Sequence, residues 1–240
     1  MLGYIWTLLR PLALFAVMYV VFVHFLRFGA DVPHFTVYLL LGIVLWNYFA
    51  EVTTNGMGAI VGKGDLMRKL AFPRYVVVVA GSISALINLG INLLVVGLFI
   101  MLNGVGFSRD AVFIVPIVFE LSLFAVAIAF LLGALYVKLR DINYIWELLL
   151  QVGFYATPIF YPMSLVQAKS EIVAKLMLLN PVAQIIQDAR WALITRETTT
   201  VWNSFEAAQI KLIPAIIVFI FLALSVYYFK KRSPYFAEEI

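Results

Sequence analysis

Residues 75–108 read YVVVVAGSISALINLGINLLVVGLFIMLNGVGFS, a stretch of 34 residues between Arg74 and Arg109 that contains no charged side chain. A helix needs about 20 mostly apolar residues to cross the hydrocarbon core of a bilayer. A stretch of this length therefore predicts one tilted transmembrane helix, which we expect to end near Asn103 and Gly104. It also argues against a soluble globular fold.

The composition of the whole chain supports a membrane protein. Of its 240 residues, 64% are hydrophobic and 12% are charged, whereas a soluble domain has about 45–50% apolar and about 25% charged residues. The net charge of +4 is explained better by cytoplasmic loops than by nucleic-acid binding. With no cysteine and two histidines, no disulfide scaffold or metal site is predicted. We expect a single transmembrane domain over residues 1–240.

The apolar runs predict six transmembrane helices in an all-α fold. Their approximate bounds are residues 9–28, 35–60, 75–103, 111–137, 145–162 and 211–230. No A-x-A-like cleavage site follows the first run, so we expect it to be retained rather than removed as a signal peptide. The basic loops place both termini in the cytoplasm. The residues that support this orientation are Lys63, Arg68, Lys69, Arg74, Lys138, Arg140, Lys230, Lys231 and Arg232.

Three segments depart from a plain pattern of spans and loops. The first is GKGDLMRKLAFPR, residues 62–74, in which apolar and charged side chains fall on opposite faces of a helix. Asp65 is a suitable N-cap and Pro73 ends the pattern. The segment predicts a short amphipathic helix between the second and third spans. It either rests on anionic lipid headgroups or docks on a cytoplasmic partner.

The second segment is QVGFYATPIFYPM, residues 151–163, near the outer end of the fifth span. Pro158 and Pro162 predict a kink there, because proline removes an intrahelical hydrogen bond. Four aromatic residues surround it: Phe154, Tyr155, Phe160 and Tyr161. An aromatic belt at the interface explains part of this pattern, and the paired prolines suggest a gate or a lateral opening.

The third segment is the connection over residues 164–210, which divides at Asn180 and Pro181 into two amphipathic stretches. They predict two short helices that lie on the outer leaflet, dip into it or pack against the bundle. In the second stretch, an apolar stripe recurs at helical spacing, and Gln184, Asp188 and Arg190 fall away from it.

No recognisable catalytic motif is present in the sequence. It has no G-x-x-x-x-G-K-[ST] loop for nucleotide phosphates, no H-E-x-x-H and no G-x-S-x-G. Glu51 and Glu120 lie within or at the edges of spans, where a carboxylate is either functional or snorkels or pairs near the interface. The sequence therefore predicts no catalytic residue and disfavours an enzyme.

Several stretches, taken in order, resemble one known family. They are LGYIWTLLRPLALFAVMYVVF, LWNYFAE, GDLMRKLAFPR, KLRDINYIWELLLQ, TPIFYP and LLNPVAQIIQDARWALI. The chain resembles the membrane subunit of type-2 ATP-binding-cassette (ABC) exporters, and it is most similar to the permeases that export teichoic acids, O-antigen and capsular polysaccharides. Members usually carry an amphipathic helix before the first span. Because only MLGYIWTLL precedes Arg10 here, we expect either a start further upstream or no such helix.

The resemblance implies a partner and a point of force transmission. It identifies residues 65–72 as the coupling helix, which docks on a cytoplasmic P-loop ATPase. The residues concerned are Asp65, Leu66, Met67, Arg68, Lys69, Leu70 and Phe72. It also implies a homodimer of permeases in the cytoplasmic (inner) membrane with two ATPase subunits. ATP and Mg would bind to those subunits, and no cofactor would bind to this chain.

The resemblance also implies a channel for a lipid-linked glycan, with aromatic side chains that stack on sugar rings and a gate at the kink. The candidate residues are Tyr4, Trp6, Tyr19, Phe22, Tyr155, Pro158, Phe160 and Tyr161. The resemblance matches residues 180–195 to short re-entrant helices on the outer face, between the fifth and sixth spans, that shape the exit.

Two alternative functions remain open. A type-2 permease for drugs or other lipids would share the architecture. A membrane-embedded enzyme acting on polyprenyl-linked sugars would need a carboxylate or histidine cluster at one interface. Asp31, His34 and Arg109 are the outer-face candidates outside the long connection, and they form no recognisable pattern.

Overall fold

The described part of the chain is built of helices alone. The computed structural model describes residues 3–26, 32–64, 73–106 and 108–236, with the backbone only for residues 3–8 and 10. Within these ranges there is no β-strand, which confirms the all-α fold. The α-helices are α1 (Gly3–Met18), α2 (Phe35–Ala59), α3 (Tyr75–Leu102), α4 (Ile114–Lys138), α5 (Ile142–Ala156), α6 (Met163–Lys169), α7 (Glu171–Leu178), α8 (Pro181–Leu193), α9 (Val201–Ser204), α10 (Ala208–Lys211) and α11 (Ile213–Arg232).

In the part of the chain that the structure describes, four helical segments are long and apolar enough to cross a membrane: Phe35–Ala59, Tyr75–Leu102, Arg109–Lys138 and Ile213–Tyr235. They match the predicted second, third, fourth and sixth spans to within a few residues. The 28 residues of α3 extend about 42 Å at about 1.5 Å per residue, which suits the predicted tilt. The first predicted span is α1 with its π-helical continuation Tyr19–Phe25, and the fifth is the 15-residue α5. Six spans and the orientation of the termini remain predictions.

Helix α2 lies at the centre of the bundle. In its most apolar stretch 78% of the residues are buried, against 22 to 28% in the other three long segments. Small residues bring it against α4: a Cβ atom added to Gly56 would lie 2.4 Å from the Cβ atom of Ala129, and one added to Gly133 would lie 3.0 Å from the carbonyl oxygen of Gly56. Such residues let two membrane helices pack backbone to backbone.

Helix α8 begins where the sequence predicts it. Asn180 is its N-cap, with the side-chain oxygen accepting a hydrogen bond from the backbone N–H of Val182 at 3.0 Å, and Pro181 occupies the first turn. All residues from Pro181 to Arg190 are buried, and the helix packs against α2, α4 and α11. Gln184, Asp188 and Arg190, which the sequence places away from the apolar stripe, are therefore buried as well, because α8 packs against other helices on several sides.

Helix α5 ends at the first proline instead of continuing through a kink. Thr157 has φ −92° and ψ 140°, the extended conformation that a following proline favours. An irregular turn carries the chain from Pro158 to Pro162, which precedes α6. The predicted bend is thus a helix end, because the residue before Pro158 has left the helical conformation.

Candidate functional site

Three helices of the bundle carry polar side chains in stripes. On α2 the stripe consists of Asn47, Glu51, Thr54 and Asn55, and the i, i+4, i+7, i+8 spacing places all four on one helical face. Helix α3 carries Asn88 and Asn92, and α5 carries Asn143 and Glu147, in both cases four residues apart. Three otherwise apolar helices therefore each present a polar face.

The three stripes meet around one cavity. Asn88 Nδ2 on α3 donates a hydrogen bond to Glu51 Oε1 on α2 at 2.8 Å. The cavity has a volume of about 660 Å³, within the range of about 300–1,000 Å³ that is typical of small-molecule sites. Its lining residues are Pro11, Val44, Asn47, Tyr48, Ala50, Glu51, Thr54, Asn55, Met57, Leu89, Asn92, Asn143, Trp146, Glu147 and Leu150.

Two aromatic residues of the lining are held by hydrogen bonds to polar groups of the bundle. Trp146 Nε1 donates to Thr53 Oγ1 at 3.2 Å. The hydroxyl groups of Tyr48 and Ser122 lie 2.7 Å apart and share a hydrogen bond. Because its N–H group is already engaged, the indole of Trp146 contributes apolar ring surface to the cavity.

The cavity carries acidic but no basic side chains among the residues described as lining it. Glu51 and Glu147 are the acidic members, and the other polar members are amides, a hydroxyl and the two aromatic residues. Carboxylates only accept hydrogen bonds, whereas amides both donate and accept. The described lining residues can therefore bind hydroxyl groups, and they offer no countercharge to an anion.

A second polar centre joins the helix end at Pro158 to α8. Arg190 is fully buried, and its guanidinium group donates to the carbonyl oxygens of Tyr38 at 3.0 Å, Pro158 at 2.5 Å and Ile159 at 2.7 Å. It also donates to Gln187 Oε1 at 2.9 Å and lies 3.6 Å from the ring centroid of Tyr38. Burial lowers its pKa, but an arginine stays charged in proteins. Arg190 therefore clamps α2, α8 and the turn after α5 together.

An aromatic cluster lies beside this turn. The ring of Phe160 is 4.8 Å from Phe22, 5.7 Å from Tyr155 and 5.0 Å from Tyr161, measured between centroids. The Tyr161 hydroxyl donates to the Tyr155 carbonyl oxygen at 3.1 Å. The structure thus brings together four of the eight side chains predicted for the channel and gate.

Of the other four predicted residues, two lie outside this aromatic cluster, and the side chains of the remaining two are not among those that the structure describes. Tyr19 contacts Phe15, with ring centroids 5.9 Å apart. Pro158 is buried, and its carbonyl oxygen binds Arg190. Tyr4 and Trp6 belong to α1, and their side chains are outside the description. The roles of all eight in a channel remain predictions.

The predicted coupling residues, Asp65 to Phe72, lie outside the described residues. On the C-terminal side, the Arg74 guanidinium donates to the carbonyl oxygen of Ser233, directly after α11. The end of the last long helix is therefore attached to Arg74, the N-cap residue of α3. Of the outer-face candidates for an enzyme, Asp31 lies outside the described residues. His34 precedes α2 with a left-handed φ of 56°, and Arg109 begins the 3₁₀ turn before α4.

A further acidic pair lies between α4 and α8, away from the cavity. Gln184 Nε2 donates to Asp188 Oδ2 at 2.6 Å, and Glu120 approaches both residues. Burial raises the pKa of Asp188 to about 6, although hydrogen bonds from Gln184 and Trp202 lower it. Glu120 thus faces α8 instead of lining the cavity.

Among the residues described, no group of three or more His, Asp or Glu could hold a metal ion.

The cavity was not predicted from the sequence, although the sequence contains a signal for it. The α2 stripe of four polar residues at helical spacing is visible in LWNYFAEVTTN, residues 45–55. Of these four residues, only Glu51 was interpreted from the sequence, as a single carboxylate within a span. Arg190 carried no comparable signal, because three of its four hydrogen-bond partners are backbone carbonyl groups more than 30 residues distant in the chain.

Comparisons with known proteins identify relatives over most of the chain. The ABC-2 type transporter family matches residues 1–194. The O-antigen export system permease protein RfbA of Myxococcus xanthus is 30% identical over 187 residues, which cover 77% of this chain and 70% of the relative. Two proteins of the same name from Klebsiella pneumoniae are 27% and 26% identical over 187 and 185 residues, and this chain again covers 70% of each.

Proposed function

This chain belongs to the ABC-2 type transporter family, and on that premise we propose that it is the transmembrane subunit of an ATP-driven exporter of a lipid-linked polysaccharide. It is a transport subunit and not an enzyme. Relatives named as O-antigen export permeases support a glycan as the cargo, which moves across the cytoplasmic membrane.

The observation that carries the proposal is the meeting of three polar stripes in one cavity. A polar side chain inside a membrane is costly and marks a pathway or a binding site by default. Here Glu51, Asn92 and Asn143 come from three different helices and line the same space. A chain of sugar hydroxyl groups is a suitable occupant, since it exchanges hydrogen bonds with amides and carboxylates.

The aromatic cluster around Phe160 supports an exit at the other end of α5. Aromatic rings offer flat apolar surface on which the C–H face of a sugar can pack. Arg190 holds the turn that carries this cluster, so movement of α8 would be transmitted to it. We propose that Phe22, Tyr155, Phe160 and Tyr161 contact the glycan as it leaves.

The working assembly is a homodimer of permeases with two cytoplasmic P-loop ATPases. ATP and Mg bind to those subunits, and the segment Asp65–Phe72 receives the force. The chain crosses the membrane six times, with both termini in the cytoplasm. The hydrogen bond between Arg74 and Ser233 connects the start of α3 to the end of the last span, and we propose that force passes through it.

Export can be tested in cells that lack their own permease but make the partner ATPase and the lipid-linked glycan. The chain is expected to restore surface glycan, measured by antibody labelling of intact cells. The double variant Asn55→Ala/Asn143→Ala, which removes two cavity amides, should reduce it strongly. The matched control is Asn103→Ala, because Asn103 is exposed after α3 and is not among the residues that line the cavity.

Two results would count against the proposal. One is the absence of surface glycan with a chain that inserts normally and co-purifies with the ATPase. The other is full export by the double variant, which would separate the cavity from the pathway.

A further inference from the structure

We infer that the cavity selects an uncharged, hydroxyl-rich glycan and discriminates against phosphate-bearing polymers such as polyol phosphates. The inference rests on the proposed function and adds the chemical class of the cargo. It separates neutral polysaccharides from the teichoic-acid type of polymer, which the family resemblance leaves together.

Glu51 is fixed at the wall of the cavity. Its Oε1 atom accepts a hydrogen bond from Asn88, which holds the carboxylate between α2 and α3 at the wall of the cavity. Asn47 and Asn55 lie one turn to either side on the same face. A sugar hydroxyl group can donate to the carboxylate and accept from an amide, so this array suits adjacent hydroxyl groups.

Trp146 contributes a fixed aromatic ring to the cavity. Its N–H group bonds to Thr53, which fixes the ring and leaves apolar surface at the cavity. Carboxylates, amides and a fixed aromatic ring together match the two surfaces of a sugar, namely its polar rim and its C–H face. A phosphodiester has no such apolar face.

The described side chains that line the cavity carry negative charge without a positive partner among them. Glu51 and Glu147 are acidic, and no lysine, arginine or histidine is among the described residues that line the cavity. A phosphate placed beside Glu51 would meet a like charge in a medium of low dielectric constant. For two unit charges about 8 Å apart at an effective dielectric constant of about 20, this repulsion weakens binding by more than about tenfold.

The experiment compares two water-soluble probes of similar length, maltotriose and a trimer of glycerol phosphate. Binding to the full chain in nanodiscs of zwitterionic lipid is measured by tryptophan fluorescence at constant ionic strength. Subtraction of the signal of a Trp146→Phe variant isolates the response of the cavity. We expect the Kd of maltotriose to be at least about tenfold lower than that of the phosphate trimer.

Glu51→Gln tests the cause of the preference. Glutamine has the same shape and still offers an oxygen to Asn88, so the variant should fold, which thermal unfolding checks. It should improve binding of the phosphate trimer and narrow the ratio of the two Kd values. Glu120→Gln is the matched control, since Glu120 belongs to the same bundle but does not line the cavity; it should leave the ratio unchanged.

Three results would overturn the inference. They are equal or tighter binding of the phosphate trimer by the wild-type chain, an unchanged ratio in Glu51→Gln, and no binding of either probe. The surface-glycan assay distinguishes these from failure of the proposed function. A chain that restores export but binds the phosphate trimer equally well remains an exporter without this selectivity.

Discussion

The guanidinium group of Arg190 lies against the backbone of Gly42. A Cβ atom added to Gly42 would be 2.5 Å from Arg190 Nη2 and 3.4 Å from the carbonyl oxygen of Ile159, which is itself a partner of that arginine. The glycine on α2 therefore provides the space in which the clamp forms. Since Arg190 is fully buried, it has no solvent-exposed position to which it can shift locally.

Gly42→Ala is expected to destabilise the folded chain by about 1–3 kcal/mol, because displacing Arg190 leaves buried carbonyl groups unpaired. Thermal unfolding in detergent measures the effect. Gly90→Ala is the control: an added Cβ there meets no atom within 4 Å, and alanine favours the helix by about 0.5–1 kcal/mol. Equal stability of the two variants would show that Arg190 adjusts without loss.

Gly56 and Ala129 should be energetically coupled, because their side-chain positions compete for the same space between α2 and α4. Gly56→Ala is expected to cost about 1–3 kcal/mol through overpacking. Ala129→Gly in the same chain should recover a large part of this loss, since it removes the Cβ atom that a new methyl group would meet. A double-mutant cycle on unfolding free energies measures the coupling. Strict additivity would refute the close packing of these helices.

The stability of the chain should depend on pH through Asp188. Burial raises its pKa to about 6, whereas an unfolded aspartate has a pKa of about 3.9. The folded state thus binds the proton of Asp188 more tightly than the unfolded state does. The contribution of this protonated carboxyl group to the free energy of unfolding is therefore complete below about pH 4 and is lost as the pH rises through about 6.

Asp188→Asn should remove this loss. Relative to wild type, the free energy of unfolding of the variant is expected to rise by about 2 kcal/mol when the pH rises from about 4.5 to about 7.5. The free energy of unfolding of both proteins is measured at the two pH values. Other titrating groups contribute equally to both proteins, so their contributions cancel in the difference. A constant difference between the proteins would contradict a raised pKa.

Charge reversal in the predicted coupling helix should separate insertion from assembly. Arg68→Glu/Lys69→Glu is expected to abolish co-purification of the ATPase while the chain still enters the membrane, because two repulsive charges replace two basic ones at the docking surface. Quantitative mass spectrometry of the tagged complex provides the readout. Lys169→Glu, at the exposed end of α6, should leave the complex intact. Normal ATPase recovery with the double variant would return this helix to a lipid-contact role.

The bounds of the long helices could be predicted closely because they depend on local properties. The uncharged stretch of residues 75–108 predicts α3 at Tyr75–Leu102, since the cost of a charge in hydrocarbon applies wherever the helix lies. Asn180 and Pro181 predict the start of α8 for a similar reason: capping and the fixed φ of proline involve only neighbouring residues.

The end of α5 and the environment of α8 could be predicted less well. Pro158 indicated an interruption, but whether a helix bends or stops depends on which groups satisfy the freed carbonyls. Here the Tyr161 hydroxyl group donates to the carbonyl oxygen of Tyr155 in the last turn of α5. Arg190, from α8, binds the carbonyl oxygens of Pro158 and Ile159 in the turn that follows. An amphipathic pattern likewise shows which face of α8 is most apolar, but it cannot show that helices cover the other faces as well.

The sequence alone therefore determined the membrane class, the all-α fold, the long helices and the family resemblance, because hydropathy, capping and motif order are read along the chain. Tertiary structure decided which faces meet. The stripes that contain Glu51, Asn88 and Asn143 are each set by the helical repeat, but only the packing of α2, α3 and α5 turns them into one cavity. Helical periodicity shows which face of a helix is polar, but it does not show which other helix packs against that face. The neighbour is chosen by long-range contacts such as Gly56 with Ala129 and Arg190 with Pro158.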